Sequence, residues 1–254
     1  MMPETYRLLS TRQETYWWHR ARRFLASSAL TNFGLKDNCT LLDVGCGLGG
    51  NFDILNELPQ SKIIGVDLSP IALGEAKKRS GMASLVRLDI NKAFPFRNGT
   101  FDVATIFNVL YHSWVTDETV ILKEIFRVLK PGGLLLITEP AFPMLFREMD
   151  VLAMGNKRYK LSEIQSYAQS SGFETLMGSY FTSFGFLAII LAKLLKNLNK
   201  TLGFPAPKMV ADTKEISPQA NEFLYHAAKM EARLIMSGIL IPLGTTLLYL
   251  GRRP

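Results

Sequence analysis

The run from Gly45 to Gly50 holds the residues with the clearest chemical purpose in this 254-residue chain. It matches the spacing G-x-G-x-x-G through Gly45, Gly47 and Gly50. Glycines at such positions let the backbone turn tightly and approach a ligand. Asp67 follows about twenty residues later, where a carboxylate suits two ribose hydroxyls. The spacing predicts a site for a nucleoside-containing cofactor and suits a nicotinamide dinucleotide and S-adenosylmethionine (SAM) equally.

Asp43, two residues before the first glycine, separates these two cofactors. A carboxylate there would repel the pyrophosphate of a dinucleotide, whereas it favours the ammonium and sulfonium groups of SAM. Asp89, at the end of a predicted strand, adds an acceptor suited to the adenine amino group, although a simple strand-end turn would also explain it. The three acids together favour SAM.

Short apolar runs alternate with amphipathic segments from residue 40 onward, which predicts βαβ units. We expect an α/β fold with a doubly wound, mostly parallel seven-stranded sheet and a helical insertion between the last two strands. The predicted strands are 40–44, 62–66, 83–88, 101–108, 134–138, 173–181 and 245–252, and the predicted helices are 51–58, 70–80, 117–129, 161–171, 185–197 and 218–237.

The whole chain, residues 1–254, is predicted to form a single domain. We divide it into an N-terminal helical cap, a cofactor-binding core, a helical lid and a last strand, at residues 1–35, 36–182, 183–240 and 241–254.

The runs LLDVGCGLGG, GVDLS, LDI, FDVATIFNVLYH and LKEIFRVLKPGGLLLITEP, within about residues 40–140, resemble the SAM-dependent methyltransferase family. The resemblance is to the branch that includes ubiquinone and menaquinone biosynthesis enzymes. It implies that Asp43, Gly45, Cys46 and Gly47 lie at the methionine end of SAM. It also implies ribose and adenine contacts from Asp67 and Leu68, adenine contacts from Asp89 and Ile90, and a place beneath the sulfonium for Asn108.

The segment ETYWWHRARR, residues 14–23, resembles a W-W-x-R-x-R-R opening seen in many bacterial members of that family. The resemblance implies that Trp18 and Arg23 cap the cofactor from a leading helix. His19 stands where an aromatic residue is commoner. Alternatively, Trp17 and Trp18 only pack the helix against the core.

His112, after the fourth predicted strand, is our candidate general base, because substrates bind at the carboxyl ends of such strands. A structural histidine that helps to cap the helix beginning at Asp117 is the alternative. Tyr111 and Glu139 lie near the same edge and are expected to orient the substrate. Cys46 is interpreted as a small loop residue, and no residues suggest a metal site.

The charge of +7 lies at the two ends of the chain: residues 1–23 hold five Arg against two Glu, and residues 183–254 hold nine Lys and Arg against four Asp and Glu. Together with the apolar insertion, this favours a small-molecule substrate that is apolar or amphipathic, lipid-like or anionic. Peripheral membrane contact also fits, whereas the sequence has no motif for nucleic acid. Alternatives are a non-catalytic SAM-binding protein and a nicotinamide-dependent oxidoreductase.

Residues 234–250 are nearly uncharged, but glycines and a proline interrupt them, so we expect a helix end, a turn and a buried strand rather than a membrane span. Two cysteines without disulfide spacing, and no signal-type run at the N-terminus, predict a cytoplasmic location. The sequence does not predict the oligomeric state.

We expect residues 11–23 and the insertion to fold over the sheet edge that carries Gly45, Asp67 and His112. The insertion would follow a sixth strand lying beside the fifth, and so reach the cleft.

Overall fold

The computed structural model describes residues 13–35, 37–55, 61–79, 83–201 and 216–254. A seven-stranded sheet forms the centre of this part of the chain. Its strands are β1 (Thr40–Val44), β2 (Lys62–Asp67), β3 (Ser84–Arg87), β4 (Phe101–Phe107), β5 (Leu129–Pro140), β6 (Glu174–Phe181) and β7 (Thr246–Arg252).

The strands lie in the order β3-β2-β1-β4-β5-β7-β6, and the first five are parallel. β7 runs antiparallel to both of its neighbours. This confirms the predicted α/β fold with a mostly parallel seven-stranded sheet. The expectation that the sixth strand lies beside the fifth was wrong, because β7 separates them. Thr246 to Gly251 are all buried, as expected for a strand with a neighbour on each side.

Helices cover both faces of the sheet. They are α1 (Trp17–Asn32), α2 (Pro70–Arg79), α3 (Glu118–Val128), α4 (Glu148–Leu152), α5 (Leu161–Ser170), α6 (Ser183–Thr201) and α7 (Pro218–Met236), with 3-10 turns at Phe52–Leu55 and Pro143–Leu145.

β5 shows how the two layers are built, because its side chains alternate between the faces. Leu134 and Leu136 join the layer that holds α1 and α7, whereas Leu135 and Ile137 join the layer that holds α3 and α5. Both layers are apolar, so the parallel strands are buried on both sides.

Local side-chain caps explain where α2 and α3 begin. Ser69 accepts a bond from the Ala72 amide at 3.2 Å, and Pro70 begins α2, as predicted. Asp117 itself caps α3 by accepting the amides of Thr119 and Val120. Val120, an apolar residue of α3, is 43% exposed.

Other predicted elements differ in extent. The predicted helix at 51–58 appears as the 3-10 turn Phe52–Leu55, and residues 56–60 lie outside the described part. β5 starts at Leu129 rather than at 134, because Leu129 already pairs with Phe101 of β4 before an irregularity at the Lys-Pro-Gly-Gly turn. α7 ends at Met236, a turn follows, and β7 is buried, as predicted for residues 234–250. Within the described ranges, no helix is long and apolar enough to cross a membrane.

The cap and the insertion contact each other. The Trp17 amide donates to Asn221 Oδ1 at 2.9 Å, and the Trp17 ring lies 5.6 Å from that of Phe184. Arg20 forms an ion pair with Glu222 on α7. The predicted lid includes residues 11, 12 and 202–215, which lie outside the described residues, so the lid stays a prediction.

Candidate functional site

A cavity of about 440 Å³ lies at the carboxyl ends of β1, β2, β3 and β4. Its volume is in the usual range for small-molecule sites, about 300–1,000 Å³. Parallel strands bring their carboxyl ends to one edge, so four separate sequence segments meet there. The predicted site residues that line it are Gly45, Cys46, Gly47, Asp67, Leu68, Asp89, Ile90, Asn108 and His112.

The glycine loop begins where β1 ends. The amides of Gly45 and Cys46 both donate to the Val66 carbonyl, at 2.8 and 2.9 Å, which holds the loop against β2. Gly45 has φ +73°, and a Cβ there would lie 2.4 Å from Val109 Cγ2. Gly47 has φ +54°, but a Cβ there would have no atom within 4 Å. Gly45 is therefore needed for packing, whereas Gly47 opens the loop towards the cavity.

This contrast predicts different costs for two alanine substitutions. We expect Gly45→Ala to lower the free energy of unfolding by about 3 kcal/mol, because left-handed strain adds to overpacking against Val109. Gly47→Ala has only the left-handed strain and should lower it by about 1 kcal/mol. Urea denaturation followed by circular dichroism measures both values. Equal losses in the two variants would contradict this account of the loop.

Asp67, at the end of β2, holds the loop from the other side. Its Oδ2 accepts the Gly47 amide at 2.9 Å, and its Oδ1 accepts the Ser69 amide at 2.8 Å. Burial raises the pKa of this carboxyl, while the bonds from Ser69 and Gly47 act in the opposite direction. Each oxygen retains a lone pair that could accept a ligand hydroxyl.

An apolar slot continues the cavity past Asp67. Leu68, Leu88 and Ile90 line it, and Leu68 is 45% exposed at the rim. Asp89 also lines it, but its Oδ1 accepts both the amide and the side-chain nitrogen of Asn91. These bonds lower the pKa of Asp89, so this group is a carboxylate near neutral pH. The slot has the shape and polarity for a flat base with an exocyclic amine.

Asp43 lies beneath the loop and is not among the residues that line the cavity, and its expected place at the methionine end of SAM stays a prediction. It is 2% exposed, and Thr105 Oγ1 donates to its Oδ1 at 2.8 Å. Its Oδ2 is buried without a partner in the described structure. Burial raises the pKa of Asp43 to about 7, while Thr105 and the nearby Arg22 oppose the shift.

Arg22 and His19 of α1 line the cavity, whereas Trp18 and Arg23 do not. Trp18 Nε1 donates to Thr246 Oγ1 at 3.3 Å. Arg23 donates to the carbonyls of Gln13, Glu14 and Gly50. Trp18 and Arg23, the predicted capping residues, therefore hold the N-terminal helix in place. Their neighbours His19 and Arg22 point into the cavity.

Arg22 is buried and donates to Asn51 Oδ1 at 2.9 Å, and its Nε has no partner in the described structure. Burial lowers its pKa to about 10, which leaves it charged at neutral pH. His19 Nδ1 is likewise buried without a partner, and burial lowers the pKa of that ring. A signal for Arg22 exists in the sequence, since helical spacing places it on the stripe of Trp18 and Ala26, and Ala26 is buried.

Asn108 follows β4 with φ +56°, an unusual conformation for a residue other than glycine. Its Oδ1 is buried and, in the described structure, unpaired. Behind it, Glu139 accepts the amides of Val109, Leu110 and Tyr111. Burial raises the pKa of Glu139 to about 8, and the side chain is fully buried. Glu139 therefore holds the loop in place. It does not line the cavity, although we expected it to orient the substrate.

His112 lies between two aromatic rings on the cavity wall. The Trp114 ring stacks on it at 4.0 Å, and the Tyr111 ring lies at 4.2 Å. Burial lowers the pKa of His112 to about 4, so the ring is neutral at pH 7. Ala153 and Met154 complete this wall. They follow α4, a segment that the sequence analysis did not connect with the site.

Comparisons with known proteins agree with this arrangement. The family model described as "Methyltransferase domain" matches residues 42–137. The chain is 36% identical over 144 residues to demethylmenaquinone methyltransferase of Lactococcus lactis, covering 54% of this chain and 53% of that protein. It is 33% identical over 107 residues to 2-methyl-6-phytyl-1,4-hydroquinone methyltransferase of Synechocystis, covering 41% and 33%. The chain thus spans about half or less of the length of these relatives.

Among solved structures, phosphoethanolamine N-methyltransferase 2 of Haemonchus contortus, in complex with S-adenosyl-L-methionine, is similar with a TM-score of 0.57. It is 21% identical, and the match covers 92% of this chain and 52% of that one. At this identity the likeness concerns the fold. Residues 42–137 thus resemble a class I methyltransferase domain, and the strand order and the glycine loop agree with that resemblance.

Proposed function

We propose that the protein transfers a methyl group from SAM to an apolar or amphipathic small molecule at the carboxyl edge of the sheet. The observation that carries the proposal is the joining of two different halves in one cavity. One half, around Asp67 and Ile90, suits an adenosine. The other half, around Arg22 and Asn108, has buried polar atoms that lack partners in the described structure.

The adenosine half would bind through Asp67 and the apolar slot. Asp67 has acceptor capacity for two ribose hydroxyls, which donate well to a carboxylate. Leu68 and Ile90 would lie against the adenine faces, and Asp89 would accept from the amino group. Each of these roles uses a side chain that already lines the cavity.

The methionine half would bind through groups that otherwise stay unsatisfied. Arg22 Nε and His19 Nδ1 suit a carboxylate, while Asn108 Oδ1 suits an ammonium or a sulfonium. Asp43 lies beneath the loop near the same groups, and a bound cation would favour the ionised form of its carboxyl, whose pKa burial raises to about 7. Buried polar atoms without partners are costly, so a ligand that satisfies several of them explains why they are retained. When bound, SAM supplies a methyl group on a positively charged sulfur.

The remaining part of the cavity, where the acceptor would bind, is aromatic and apolar. Val109, Trp114, Ala153 and Met154 line it together with His112. An apolar or lipid-like acceptor fits this lining, and the two relatives above are named for quinone and hydroquinone substrates. Placing such a molecule in line with the methyl group would account for most of the rate increase.

Two other functions are less well supported. A nicotinamide-dependent oxidoreductase would place a pyrophosphate near Asp43 and Asp67, where it is repelled. A non-catalytic SAM-binding protein would share every cofactor contact and differ only in turnover.

The buried free cysteines Cys39 and Cys46 support the cytoplasmic location that forms part of the proposal.

Incubating the protein with methyl-labelled SAM and a cell extract tests the proposal directly. We expect label in the lipid-soluble fraction, and none in nucleic acid or protein. Asp67→Ala provides the matched inactive control, because it removes the ribose contact. Tight SAM binding without labelling of any fraction would support the non-catalytic alternative. Absence of SAM binding would refute the proposal.

His112 is our proposed base, and its burial predicts a particular pH dependence of stability. Its pKa is about 4 in the folded protein, below the ordinary value of 6.5. The unfolded chain therefore binds this proton first, and His112 contributes stability that is full above pH 6.5 and lost between 6.5 and 4. The loss should be about 3 kcal/mol. His112→Gln does not titrate and should lack this loss.

Urea denaturation at several pH values between 7 and 4 measures this difference. His226→Gln is the control, because His226 is 70% exposed and should give curves parallel to the wild type. Parallel curves for His112→Gln would contradict the assigned burial. Once an acceptor is known, His112→Gln should lower kcat about 100-fold while SAM affinity stays unchanged, if the ring removes a proton.

A further inference from the structure

α6 exposes a continuous stripe of leucines. Leu187, Leu191, Leu194 and Leu195 are each between 46% and 63% exposed, and their spacing of four, seven and eight residues places them on one side of the helix. The other side of the helix is anchored, since Phe186 is buried and its ring contacts that of Phe142. The stripe therefore points away from the protein.

A second exposed apolar group adjoins α6. Met144, Val151 and Leu152 are each about 60% exposed, and Met154 is 40% exposed. Lys193 on α6 donates to the Met144 carbonyl, which brings the two elements together. We call the four leucines with these four residues the outer apolar face.

The segment that carries the second group is firmly held. Asp150 and Arg158 form a buried ion pair with contacts of 2.9 and 3.0 Å, and Gly155 pairs with His112 in an isolated bridge. Met154 has φ +60° and lies on the cavity wall while part of it remains exposed. The outer apolar face thus reaches the mouth of the cavity.

Charge indicates what covers this face. α6 carries three lysines and no acidic residue, and the chain has a net charge of +7. Leucines on one side and lysines elsewhere along a helix are typical of helices that lie on anionic membranes. In the adjoining segment the charges of Arg147 and Glu148 offset each other and Asp150 pairs with Arg158, so the net positive charge comes from α6.

We propose that the outer apolar face docks on an anionic lipid bilayer, with α6 lying in the interface. The leucines enter the acyl boundary, and the lysines are attracted to acidic headgroups. Docking presents the mouth at Met154 to the membrane. The delivery of an apolar acceptor to the cavity rests on the proposed function, whereas the docking itself does not.

Flotation with vesicles of phosphatidylcholine and phosphatidylglycerol at 3:1 tests the docking, without SAM. We expect the wild type to float with the vesicles. Leu191→Glu and Leu194→Glu should each lower the partition coefficient at least tenfold, because a charge replaces a leucine that would enter the acyl boundary. Val120→Glu, the same type of change at an exposed position of α3, should stay within twofold of the wild type. Vesicles of phosphatidylcholine alone should bind the wild type at least about fivefold more weakly.

Three results would overturn the proposal. The first is a wild type that stays below the vesicles in 100 mM salt. The second is equal binding of Leu191→Glu and Val120→Glu. The third is a dimer in sedimentation that Leu191→Glu dissociates without any vesicle binding, which would assign the face to a second copy of the chain. SAM titration of Leu191→Glu separates this test from the proposed function, because that affinity should not change.

Discussion

We expect Asp67→Asn to weaken SAM binding about 100-fold, which is about 2.7 kcal/mol. The charged carboxylate would be lost as acceptor for two ribose hydroxyls, and such bonds are each worth about 1.5–3 kcal/mol. In addition, the amides of Gly47 and Ser69 each use a different oxygen of Asp67. An asparagine offers only one oxygen, so one amide loses its acceptor and the loop loosens.

Isothermal calorimetry with SAM measures this loss, and Asp102→Asn is its matched control. Asp102 also accepts a backbone amide, that of Thr40, and pairs with Lys130 at 2.8 Å. It lies at the start of β4, at the opposite end of the strands from the cavity. We expect Asp102→Asn to bind SAM within twofold of the wild type. Similar losses in both variants would mean that the effect comes from general destabilisation.

We expect Arg22→Gln to weaken SAM binding about 100-fold, while Arg23→Gln changes it less than threefold. Arg22 is buried on the cavity wall with a free Nε in the described structure, and a charge-assisted bond to a carboxylate is worth about 1.5–3 kcal/mol. Arg23 does not line the cavity, and its guanidinium donates to main-chain carbonyls. Comparing variants of these two neighbouring arginines therefore distinguishes a role in SAM binding from a role in holding the N-terminal helix.

A second ligand makes this test specific for the carboxylate. Methylthioadenosine shares the adenosine and the sulfur of SAM but lacks its amino acid end. Arg22→Gln should bind methylthioadenosine within twofold of the wild type, since the adenosine half is untouched. An equal loss for both ligands would show that Arg22 supports the fold of the cavity rather than the methionine end.

The sequence could predict the parallel core because its signals are local. Glycine, proline and short polar caps mark boundaries such as Ser69 before α2 and Asp117 before α3, and these depend on neighbours within a few residues. The glycine loop and Asp67 also follow strands that alternate with helices, so the edge at which they meet follows from the handedness of the connections. Nine of the predicted site residues accordingly line one cavity.

The order of the last strands depends on contacts between distant residues. No local pattern tells whether β6 or β7 lies beside β5, because both are apolar runs with suitable lengths. The burial of β7 between β5 and β6 decides the strand order, through pairs that join residues more than sixty positions apart.

The cap shows the same limit at the level of single residues. Trp18 and Arg23 have the residue types for a cofactor cap, but one step along a helix turns a side chain by about 100°. Packing of Ala21 and Leu25 on the sheet sets the rotation of α1, and that rotation directs Arg22 and His19 into the cavity.

Sequence alone therefore determined the fold class, the glycine loop and the acidic residues at the strand ends, because periodicity and turn chemistry are short-range. Tertiary structure alone decided that Asp43 lies under the loop, that Glu139 holds backbone amides, and that Met154 joins the wall. Burial causes each of these outcomes. It depends on which elements pack together, and it sets both the pKa of a group and whether a ligand can reach it.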